Sequence, residues 1–522
     1  MSRGSIFPPP SLAPSPGPAR IAGVGVVAAF ALSTIYFTGT FPPYPNVNEL
    51  SRFQAVVSFV ERGTFAIDEA IRVMGDHEDK AAAGGRSYSN KAPGLIFAGI
   101  PVTRALRTFF PEPRSGTAAI FVGMRLLTVS FVCIVALARF WRRLARSPTA
   151  SRAAPLLCFA LAFGTPFLFY ARSFFSHAWA ASLLFLSWEA VRASEAPQRR
   201  QRSAALLATA GLLAGGAAIS EYTVAPIALL LAFRALAGGS WRALLPFAAG
   251  AAVPLALLLA YQEACFGSPW VLSTAREANP DYAALSRRGI FGIGPPSLVV
   301  AAKSLFHSNR GVLLASPFLL WTLPGFFRWG RSREERADFA FSLAATVVFF
   351  LLLTGYPNWE GGWCLGNRYL LPLLFFAALP IRYALGSPVS RGLFAAAVVF
   401  SVANHFLLTA SYPYFPPSLS WPAANGSWFF LSFQFVAPNL GSLAGLGALP
   451  SLLPPALATA SVLLLCLRAV GPTVPPRAVA ATLALGLLGA SLLFPPSLPA
   501  WDREWRDGIL RLFVSVPQSS PL

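Results

Sequence analysis

The 522-residue chain is poor in charged residues, and in acidic ones above all. Charged side chains make up 12% of the sequence, and 21 aspartates and glutamates stand against 41 lysines and arginines. Hydrophobic residues account for 55%, and the mean hydropathy is +0.57. Because soluble domains carry roughly twice this share of charge, the composition excludes an ordinary soluble globular protein and predicts an integral membrane protein.

Cysteine, zinc and nucleotide motifs are also missing from the sequence. The 5 cysteines form no CxxC pair and no zinc-type Cys/His spacing, and there is neither a GxxxxGK[ST] loop nor a GxSxG turn. Transport driven by nucleotide hydrolysis within this chain is therefore disfavoured. Cys265 and Cys364 fall in expected outer loops, where a disulfide is chemically feasible.

What the chain has instead is a series of apolar runs, each long enough as a helix to cross a hydrocarbon core of about 30 Å. The runs are continuous rather than alternating, which disfavours a β-barrel. We therefore expect an all-α polytopic membrane protein with about 13 transmembrane helices. The expected spans are residues 21–40, 117–138, 153–171, 176–194, 204–220, 222–237, 242–262, 310–327, 337–355, 368–386, 392–410, 446–467 and 478–495.

The arginines of the short loops predict the orientation. With a cytoplasmic N-terminus, the arginine clusters fall in inner loops, whereas 16 of the 21 acidic residues fall in outer segments. This is the positive-inside distribution, so the net charge of +20 indicates membrane topology rather than nucleic-acid binding. The inner clusters are Arg139 to Arg152, Arg192 to Arg202, Arg234 with Arg242, Arg328 to Arg336, Arg382 with Arg391, and Arg468 with Arg477.

Four segments are expected along the chain. Residues 1–20 form a disordered Pro/Ser-rich cytoplasmic tail, and residues 21–410 form the transmembrane core with a large outer loop at 41–116. Residues 411–495 contain an outer loop and the C-terminal helices, and residues 496–522 form an outer tail.

The outer loop at 41–116 is expected to contain juxtamembrane helices. One is amphipathic and begins near Asn48, and the other covers residues 95–110. Counting the second as a span would move the Arg139 to Arg152 cluster to the outer side, so we place it at the membrane surface.

Most ionisable residues outside the arginine clusters lie in residues 46–94, directly after the first span. A chain that only crossed the membrane would have little use for such a block, so it is the leading candidate for chemistry at the membrane surface. Its run Asp76 to Asp79 contains metal-ligand residue types, but charged runs in loops are usually solvated, and we predict no metal site there. Arg125, inside the second span, must face protein, water or a phosphate because a charge within the membrane is costly.

Several short motifs, taken in order, resemble those of bacterial membrane glycosyltransferases of the GT-C superfamily. The branch most similar in style contains the protein O-mannosyltransferases and aminoarabinose transferases, which are family 39-like enzymes. The resemblance covers roughly residues 20–410 and rests on the motifs at residues 46–50, 61–68, 88–94, 175–177, 266–269, 309–317 and 359–369.

This resemblance implies an inverting transfer of a sugar from a polyprenyl-phosphate donor to an envelope acceptor. The acceptor would be a glycolipid, a polysaccharide or a protein, and the active site would face the periplasm from a multi-pass protein of the bacterial inner membrane. Membrane lipids are further partners, and no nucleic acid is. No cofactor is certain, and the participation of a divalent metal stays open. Relatives often carry an Asp-Glu pair where this chain has Asn48 and Glu49.

The same resemblance suggests roles for individual residues. Glu49, where the first span ends, would take the proton of the acceptor hydroxyl, and Lys91 and Arg368 would bind the donor phosphate. Each also has a structural alternative: a first-turn acid for Glu49, and a lipid-headgroup anchor for Lys91 and Arg368. Further candidate substrate contacts are Asn48, Arg52, Tyr88, His177, Trp359 and Trp363.

Two other functions stay open at this point. A flippase or transporter of envelope glycolipids would use similar cavities and cations without a catalytic base. A relative that has lost activity and serves as an assembly partner is the third reading, since Asn48 replaces the usual acid.

Overall fold

The computed structural model describes residues 17–38, 46–111, 115–147, 152–196, 201–237, 241–289, 292–332, 335–411, 414 and 423–471. The expected thirteenth span at 478–495, the outer tail at 496–522 and most of the N-terminal tail lie outside these residues. Residues 17–20, expected in the tail, begin the first helix.

The first half of the chain consists of helices and one hairpin. A π-helical turn at Leu126–Ser130 joins α5 to α6, and a 3-10 turn at Tyr222–Val224 precedes α11. The elements are α1 Gly17–Tyr36, α2 Val47–Arg62, α3 Asp68–Met74, β1 Lys80–Ala83, β2 Arg86–Ser89, α4 Gly94–Arg107, α5 Ser115–Arg125, α6 Phe131–Ala145, α7 Ala154–Phe163, α8 Phe167–Ala171, α9 Ser176–Ser194, α10 Ser203–Ser220, α11 Ala225–Leu236 and α12 Leu244–Phe266.

The named elements of the second half are all helices, joined by loops. The 3-10 segments Pro317–Trp321 and Arg368–Leu373 lead into α16 and α18. The elements are α13 Pro280–Ser286, α14 Leu298–Phe306, α15 Val312–Ala315, α16 Thr322–Arg331, α17 Arg336–Thr354, α18 Leu374–Ala378, α19 Ile381–Ala384, α20 Pro388–Ala410, α21 Ala423–Ser432, α22 Leu440–Leu443 and α23 Leu453–Val470.

Seven of the described helical stretches are long and apolar enough to cross a membrane, and the all-α polytopic prediction is confirmed. Each coincides with an expected span to within a few residues at most ends. The number of membrane crossings stays a prediction. The seven are Gly17–Tyr36, Thr117–Ala145, Ser203–Ser220, Trp241–Phe266, Arg336–Thr354, Pro388–Ala410 and Pro450–Val470.

Three other expected spans are present as broken helices. The span expected at 153–171 is interrupted between α7 and α8 by Gly164, Thr165 and Pro166. The span at 310–327 breaks at Ser316 and Pro317, and the span at 368–386 contains Pro372 and Pro380. Proline lacks a backbone N–H and clashes with the preceding turn, so each interruption has a local cause. The breaks leave backbone polar groups inside the bundle, where side chains can reach them.

The loop after α1 folds against the helix bundle. β1 and β2 form an antiparallel hairpin in which Ala81 pairs with Tyr88. Its connection to α2 is polar, since the Ser51 hydroxyl donates to the Asp79 carbonyl at 2.7 Å and contacts the Ser89 hydroxyl at 2.7 Å.

The prediction that the amphipathic helix near Asn48 lies at a surface is wrong. α2 is present, but every residue from Asn48 to Ser58 is buried, so the helix is enclosed by protein on all sides along this stretch. α4, in contrast, keeps exposed residues along one side, Arg104 among them.

Close glycine contacts fix α10 relative to its neighbours. A Cβ at Gly211 would lie 1.8 Å from the Phe247 carbonyl oxygen, so α10 and α12 touch backbone to backbone as small residues allow in membrane proteins. A Cβ at Gly94 would lie 2.3 Å from the Ser220 hydroxyl and 2.8 Å from its nitrogen. The start of α4 is therefore pressed onto the last residue of α10.

The bundle has two charged ends, and we call one the arginine-rich end. There Asp338 accepts from Arg192 Nε at 2.5 Å and from Arg234 Nη2 at 3.0 Å. Glu335 pairs with Arg143 and with Arg382. These ion pairs join residues of α6, α9, α11, α17 and α19 in one network.

The chemically feasible disulfide between Cys265 and Cys364 is not formed. Cys265 and Cys364 are both free and buried. Cys364 Sγ accepts from the Arg310 guanidinium at 2.9 Å, and Cys265 packs with Tyr261 and Phe266.

Candidate active site

Glu49 lies in the first turn of α2 and is completely buried. Its Oε1 accepts from the Phe174 N–H at 2.5 Å, and its Oε2 accepts from the Tyr414 hydroxyl at 3.2 Å. Burial raises the pKa of Glu49, while the Phe174 N–H, Arg125, Tyr414 and Arg172 lower it. A raised pKa suits a proton acceptor, but both oxygens are engaged and neither is exposed. The role of Glu49 as base stays a prediction.

Arg125 and Arg172 flank Glu49, and each is at most 1% exposed. Arg125 Nη2 lies 3.5 Å from the Phe37 carbonyl oxygen, and Arg172 Nη2 donates to the Thr409 carbonyl at 2.9 Å. The Nε and Nη1 atoms of both arginines have no hydrogen-bond partner among the described residues. Arg125, singled out as an intramembrane charge, therefore faces protein and the carboxylate of Glu49.

Arg52 extends from α2 into a second polar cluster. Its Nη1 donates to the Asn48 carbonyl at 3.0 Å and also to Asn48 Oδ1, and its Nη2 donates to the Ser176 hydroxyl at 3.0 Å. Burial lowers the pKa of Arg52 to about 10; Glu221 opposes this shift and the charge of Arg368 adds to it. No carboxylate oxygen lies within 4.0 Å of Arg52 in the described part of the chain.

Lys91 follows the hairpin and pairs with Asp79, Nζ to Oδ1, at 2.9 Å. Burial lowers the pKa of Lys91, and Asp79 opposes that shift. Beside them, Asn90 Nδ2 donates to Glu277 Oε2 at 2.8 Å, and burial raises the pKa of Glu277 to about 7. The sequence indicated the lysine of this group but neither carboxylate partner.

Arg368 begins the 3-10 segment before α18. Its guanidinium carbon lies 5.2 Å from the Phe175 ring centre and 5.3 Å from that of Tyr369. Its Nε has no hydrogen-bond partner among described residues. The charges of Arg368, Arg52 and Lys91 all act on His177, which places the three cations around one point. We call this end of the bundle the site end.

The sequence-based candidates thus divide into two groups. Asn48, Arg52, Lys91, His177 and Arg368 come together at the site end. Tyr88 instead packs in a small apolar cluster, with its ring 5.6 Å from that of Phe266.

The two tryptophans lie on a turn at the edge of the site. Trp359 is buried against His307, at 5.6 Å between ring centres, whereas Trp363 is 48% exposed. The turn contacts two residues next to the site, Asn46 and Arg368. The Trp363 carbonyl accepts a hydrogen bond from Asn46 Nδ2 at 3.3 Å. A Cβ at Gly361 would lie 3.2 Å from Arg368 Nε. Only Trp363 presents its ring to an incoming molecule.

Glu221 is the site residue that sequence reasoning missed. It separates α10 from the 3-10 turn at Tyr222–Val224, and its carboxylate accepts from the hydroxyls of Ser176 and Thr223. The signal was present in the sequence, since this single acid falls between two apolar runs expected at 204–220 and 222–237.

The acidic run Asp76 to Asp79 does not converge on one point. Asp76 pairs with Lys80 at 2.5 Å, His77 Nε2 contacts Gln54 Oε1 at 2.8 Å, and Asp79 faces Lys91. Across the described residues, no group of three or more His, Cys, Asp or Glu side chains is arranged to hold a metal ion.

A search of protein-family models and a search of curated proteins gave no match. Among solved structures, ArnT from Cupriavidus metallidurans bound to undecaprenyl phosphate is 16% identical, with 89% of this chain and 79% of that chain covered and a TM-score of 0.50. The same protein in the apo state is 15% identical, with 88% of this chain and 77% of that chain covered and a TM-score of 0.48. The arabinosyltransferase EmbB from Mycobacterium smegmatis is 13% identical, with 90% of this chain and 42% of that chain covered and a TM-score of 0.40.

At these identities the likeness concerns the fold alone. The ArnT structure matches most of both chains, and seven of the helical stretches described here are long and apolar enough to cross a membrane. The chain is a multi-pass membrane protein with the GT-C fold.

Proposed function

We propose that this protein is a membrane glycosyltransferase that moves a sugar from a polyprenyl-phosphate donor to an envelope acceptor. The observation that carries the proposal is the pair of guanidinium groups at the site end, those of the buried Arg52 and the half-buried Arg368, whose charges act on each other. Neither has a carboxylate within 4.0 Å among the described residues. Two like charges in a largely desolvated site repel each other, so an anion that binds beside them is favoured.

A donor phosphate supplies that anion. Its oxygens accept charge-assisted hydrogen bonds, and guanidinium groups bind phosphate in a bidentate manner. Lys91 adds a third cation near the same point. During transfer, negative charge develops on the leaving phosphate, and preorganised cations stabilise this charge without having to reorganise. The fold agrees with this assignment, because the ArnT structure that shares it was determined with undecaprenyl phosphate.

The distribution of charge supports an orientation for the reaction. The arginine-rich end would face the cytoplasm by the positive-inside rule, and the site end would then face the periplasm of a bacterial inner membrane. The acceptor would approach from that side, past the exposed ring of Trp363. Glycolipid, polysaccharide and protein acceptors all fit a site of this kind.

The experiment is a donor-turnover assay on the purified protein in lipid nanodiscs. Each member of a panel of polyprenyl-phosphate sugars is supplied, and release of free polyprenyl phosphate is followed. Wild type is compared with Arg368→Met and with Arg72→Met, a control arginine on α3 whose side chain is 73% exposed. We expect release by wild type and by the control, and a loss of about 10- to 100-fold in donor affinity in Arg368→Met.

Two results would count against the proposal. Saturable binding of every donor without release would remove the transferase assignment, and movement of intact donor across the membrane would then indicate a flippase. Equal donor affinity in Arg368→Met and Arg72→Met would remove the assigned phosphate site.

A further inference from the structure

Glu221 is an acidic residue between two apolar helices, where a charge without a function would be energetically costly. It ends the apolar helix α10 with an extended backbone, φ −149° and ψ 99°, and the chain then turns into another apolar helix. Its side chain is 15% exposed. Ionisable residues at membrane depth or at its edge are expensive to retain, so a functional role is the default expectation for such a residue.

Short polar side chains hold the Glu221 carboxylate in one orientation. Ser176 Oγ donates to Oε2 at 2.9 Å, and Thr223 Oγ1 donates to Oε1 at 3.0 Å. A carboxylate offers about four lone-pair sites. Each oxygen therefore keeps capacity to accept a further hydrogen bond, and the carboxylate is both fixed and partly open.

The same serine connects Glu221 to the proposed phosphate site. Ser176 Oγ accepts from Arg52 Nη2 at 3.0 Å while it donates to Glu221. The carboxylate and the guanidinium are thus on opposite sides of one hydroxyl. An inverting transfer needs a base and a leaving-group cation on opposite faces of the reacting sugar carbon, and this link brings one of each close together.

His177 supplies a second, independent indication of a ligand. Its Nδ1 lies 3.6 Å from Glu221 Oε2, and its ring centre is 5.3 Å from that of Tyr369. Its Nε2 is buried without a hydrogen-bond partner among described residues. A buried ring nitrogen is normally satisfied, so this atom is available to a sugar or acceptor hydroxyl.

Glu49 has the opposite surroundings. It is fully buried, its two oxygens bind Phe174 and Tyr414, and Arg125 and Arg172 lie beside it. An acceptor hydroxyl would have to displace these contacts to reach it. Glu221 needs no such rearrangement.

We propose that Glu221 is the general base of the transfer, which rests on the glycosyltransferase function proposed above. A Glu221 carboxylate oxygen takes the proton of the acceptor hydroxyl, and the acceptor oxygen forms a bond to the anomeric carbon. The bond from that carbon to the phosphate oxygen breaks on the opposite face. Polyprenyl phosphate leaves with the electron pair, next to Arg52 and Arg368, and the proton on Glu221 later passes to water.

The test separates the chemical step from donor binding and from folding. Wild type, Glu221→Gln and Glu263→Gln are assayed in nanodiscs with the donor that wild type uses, and kcat, donor Kd and melting temperature are measured. Glu263 is the matched control, an exposed glutamate on the last turns of α12, the helix packed against α10. We expect kcat to fall by about 10²- to 10⁴-fold in Glu221→Gln only, with donor Kd and melting unchanged.

The pH dependence of kcat gives a further readout that a structural role would not change. If Glu221 is the base, the acid limb of the wild-type profile is lost in Glu221→Gln and kept in Glu263→Gln. A kcat for Glu221→Gln close to wild type overturns this inference alone, because donor turnover by wild type still supports the transferase. No turnover by wild type removes the proposed function itself.

Should Glu221→Gln not fold, Glu221→Asp decides the matter. It keeps the charge beside Ser176 but withdraws the carboxylate by one methylene. A lowered kcat with wild-type donor Kd supports the base role, and an unchanged kcat rejects it.

Discussion

The two ends of the helix bundle use arginine in different ways. At the arginine-rich end, Arg192 and Arg234 both bind Asp338, and Arg143 and Arg382 both bind Glu335. At the site end, Arg52, Arg125, Arg172 and Arg368 make no such contact within 4.0 Å among the described residues, and backbone oxygens, a hydroxyl or aromatic rings hold them. We propose that arginines with a carboxylate partner stabilise the bundle, whereas Arg52 and Arg368, which have none, bind the donor phosphate.

The largest expected effect is at the arginine-rich end, in Asp338→Asn. Asp338 is 3% exposed and has three arginines within 4.0 Å, so its loss removes the buried carboxylate that these three cations share. Breaking a buried ion pair of this kind costs about 3–5 kcal/mol. We expect a marked fall in melting temperature in detergent, with donor affinity of the folded fraction unchanged.

Asp281→Asn is the control for that substitution, since Asp281 is exposed on α13. If Asp338→Asn melts like Asp281→Asn, the ion-pair network does not stabilise the bundle. The statement that arginines paired with carboxylates stabilise the arginine-rich end would then be wrong.

How far the sequence predicts the two ends depends on the kind of signal. The span expected at 176–194 is found as Ser176–Ser194, and that at 204–220 as Ser203–Ser220. Hydropathy and loop arginines determine these boundaries locally, because each helix must match the membrane thickness and leave its cations in water. The arginine-rich end could therefore be located from sequence alone.

The arrangement of the site could not be predicted in the same way. Glu221 is 45 residues from Ser176 in sequence, and Ser176 is 124 residues from Arg52, so their contacts depend on packing of distant helices. The surface helix expected near Asn48 failed for the same reason. Its amphipathic pattern was read as one face toward water, but neighbouring elements cover that face as well.

The next largest effect is expected at Glu49. Like the carboxylates of the arginine-rich end, Glu49 lies beside two buried arginines, Arg125 and Arg172. The carboxylate of Glu49 acts electrostatically on both Arg125 and Arg172, although neither arginine forms an ion pair within 4.0 Å in the described part of the chain. Glu49→Gln keeps the hydrogen-bond acceptor but removes the charge. We expect it to lower the free energy of unfolding by about 1–3 kcal/mol, with partial recovery in Glu49→Gln combined with Arg125→Leu.

That double variant also tests the sequence-based role of Glu49. If Glu49 is the base, Glu49→Gln abolishes turnover, melts like wild type and is not rescued by Arg125→Leu. Melting temperature and turnover measured on the same preparations distinguish the two roles.

Removing a site-end arginine should have a smaller effect on stability and a larger one on donor binding. Arg52→Met relieves the repulsion between Arg52 and Arg368, so its melting temperature should fall much less than that of Asp338→Asn. Donor affinity should fall by about 10- to 100-fold, as a lost charge-assisted hydrogen bond implies. A variant that loses stability and keeps donor affinity would assign Arg52 to the structural class.

Lys91 lies between the two classes because it has a carboxylate partner and still acts on the site. Lys91→Met should lower donor affinity by about 10-fold and also lower stability slightly, since Asp79 loses its partner. Lys80→Met is the matched control on the same hairpin, where Lys80 pairs with the exposed Asp76. Equal donor affinity in the two variants would show that Lys91 serves Asp79 alone.

The smallest effect should come from Glu277, which adjusts the charge around Lys91. Burial raises the pKa of Glu277 to about 7, while the Asn90 amide and Lys91 oppose the shift and Asp79 adds to it. The carboxyl is therefore neutral below about pH 7 and ionised above it. Ionisation places a negative charge near Lys91 and repels the donor phosphate, so donor affinity should decrease as pH rises through this value, by roughly two- to fivefold.

Glu277→Gln should flatten this dependence, because its side chain stays neutral at every pH and can still accept from Asn90. Glu78→Gln, on the exposed loop before β1, should keep it. Donor Kd measured at several pH values on both sides of neutrality is the appropriate test. A wild-type affinity that stays constant over this range would mean that Glu277 is already ionised and does not adjust the charge around Lys91.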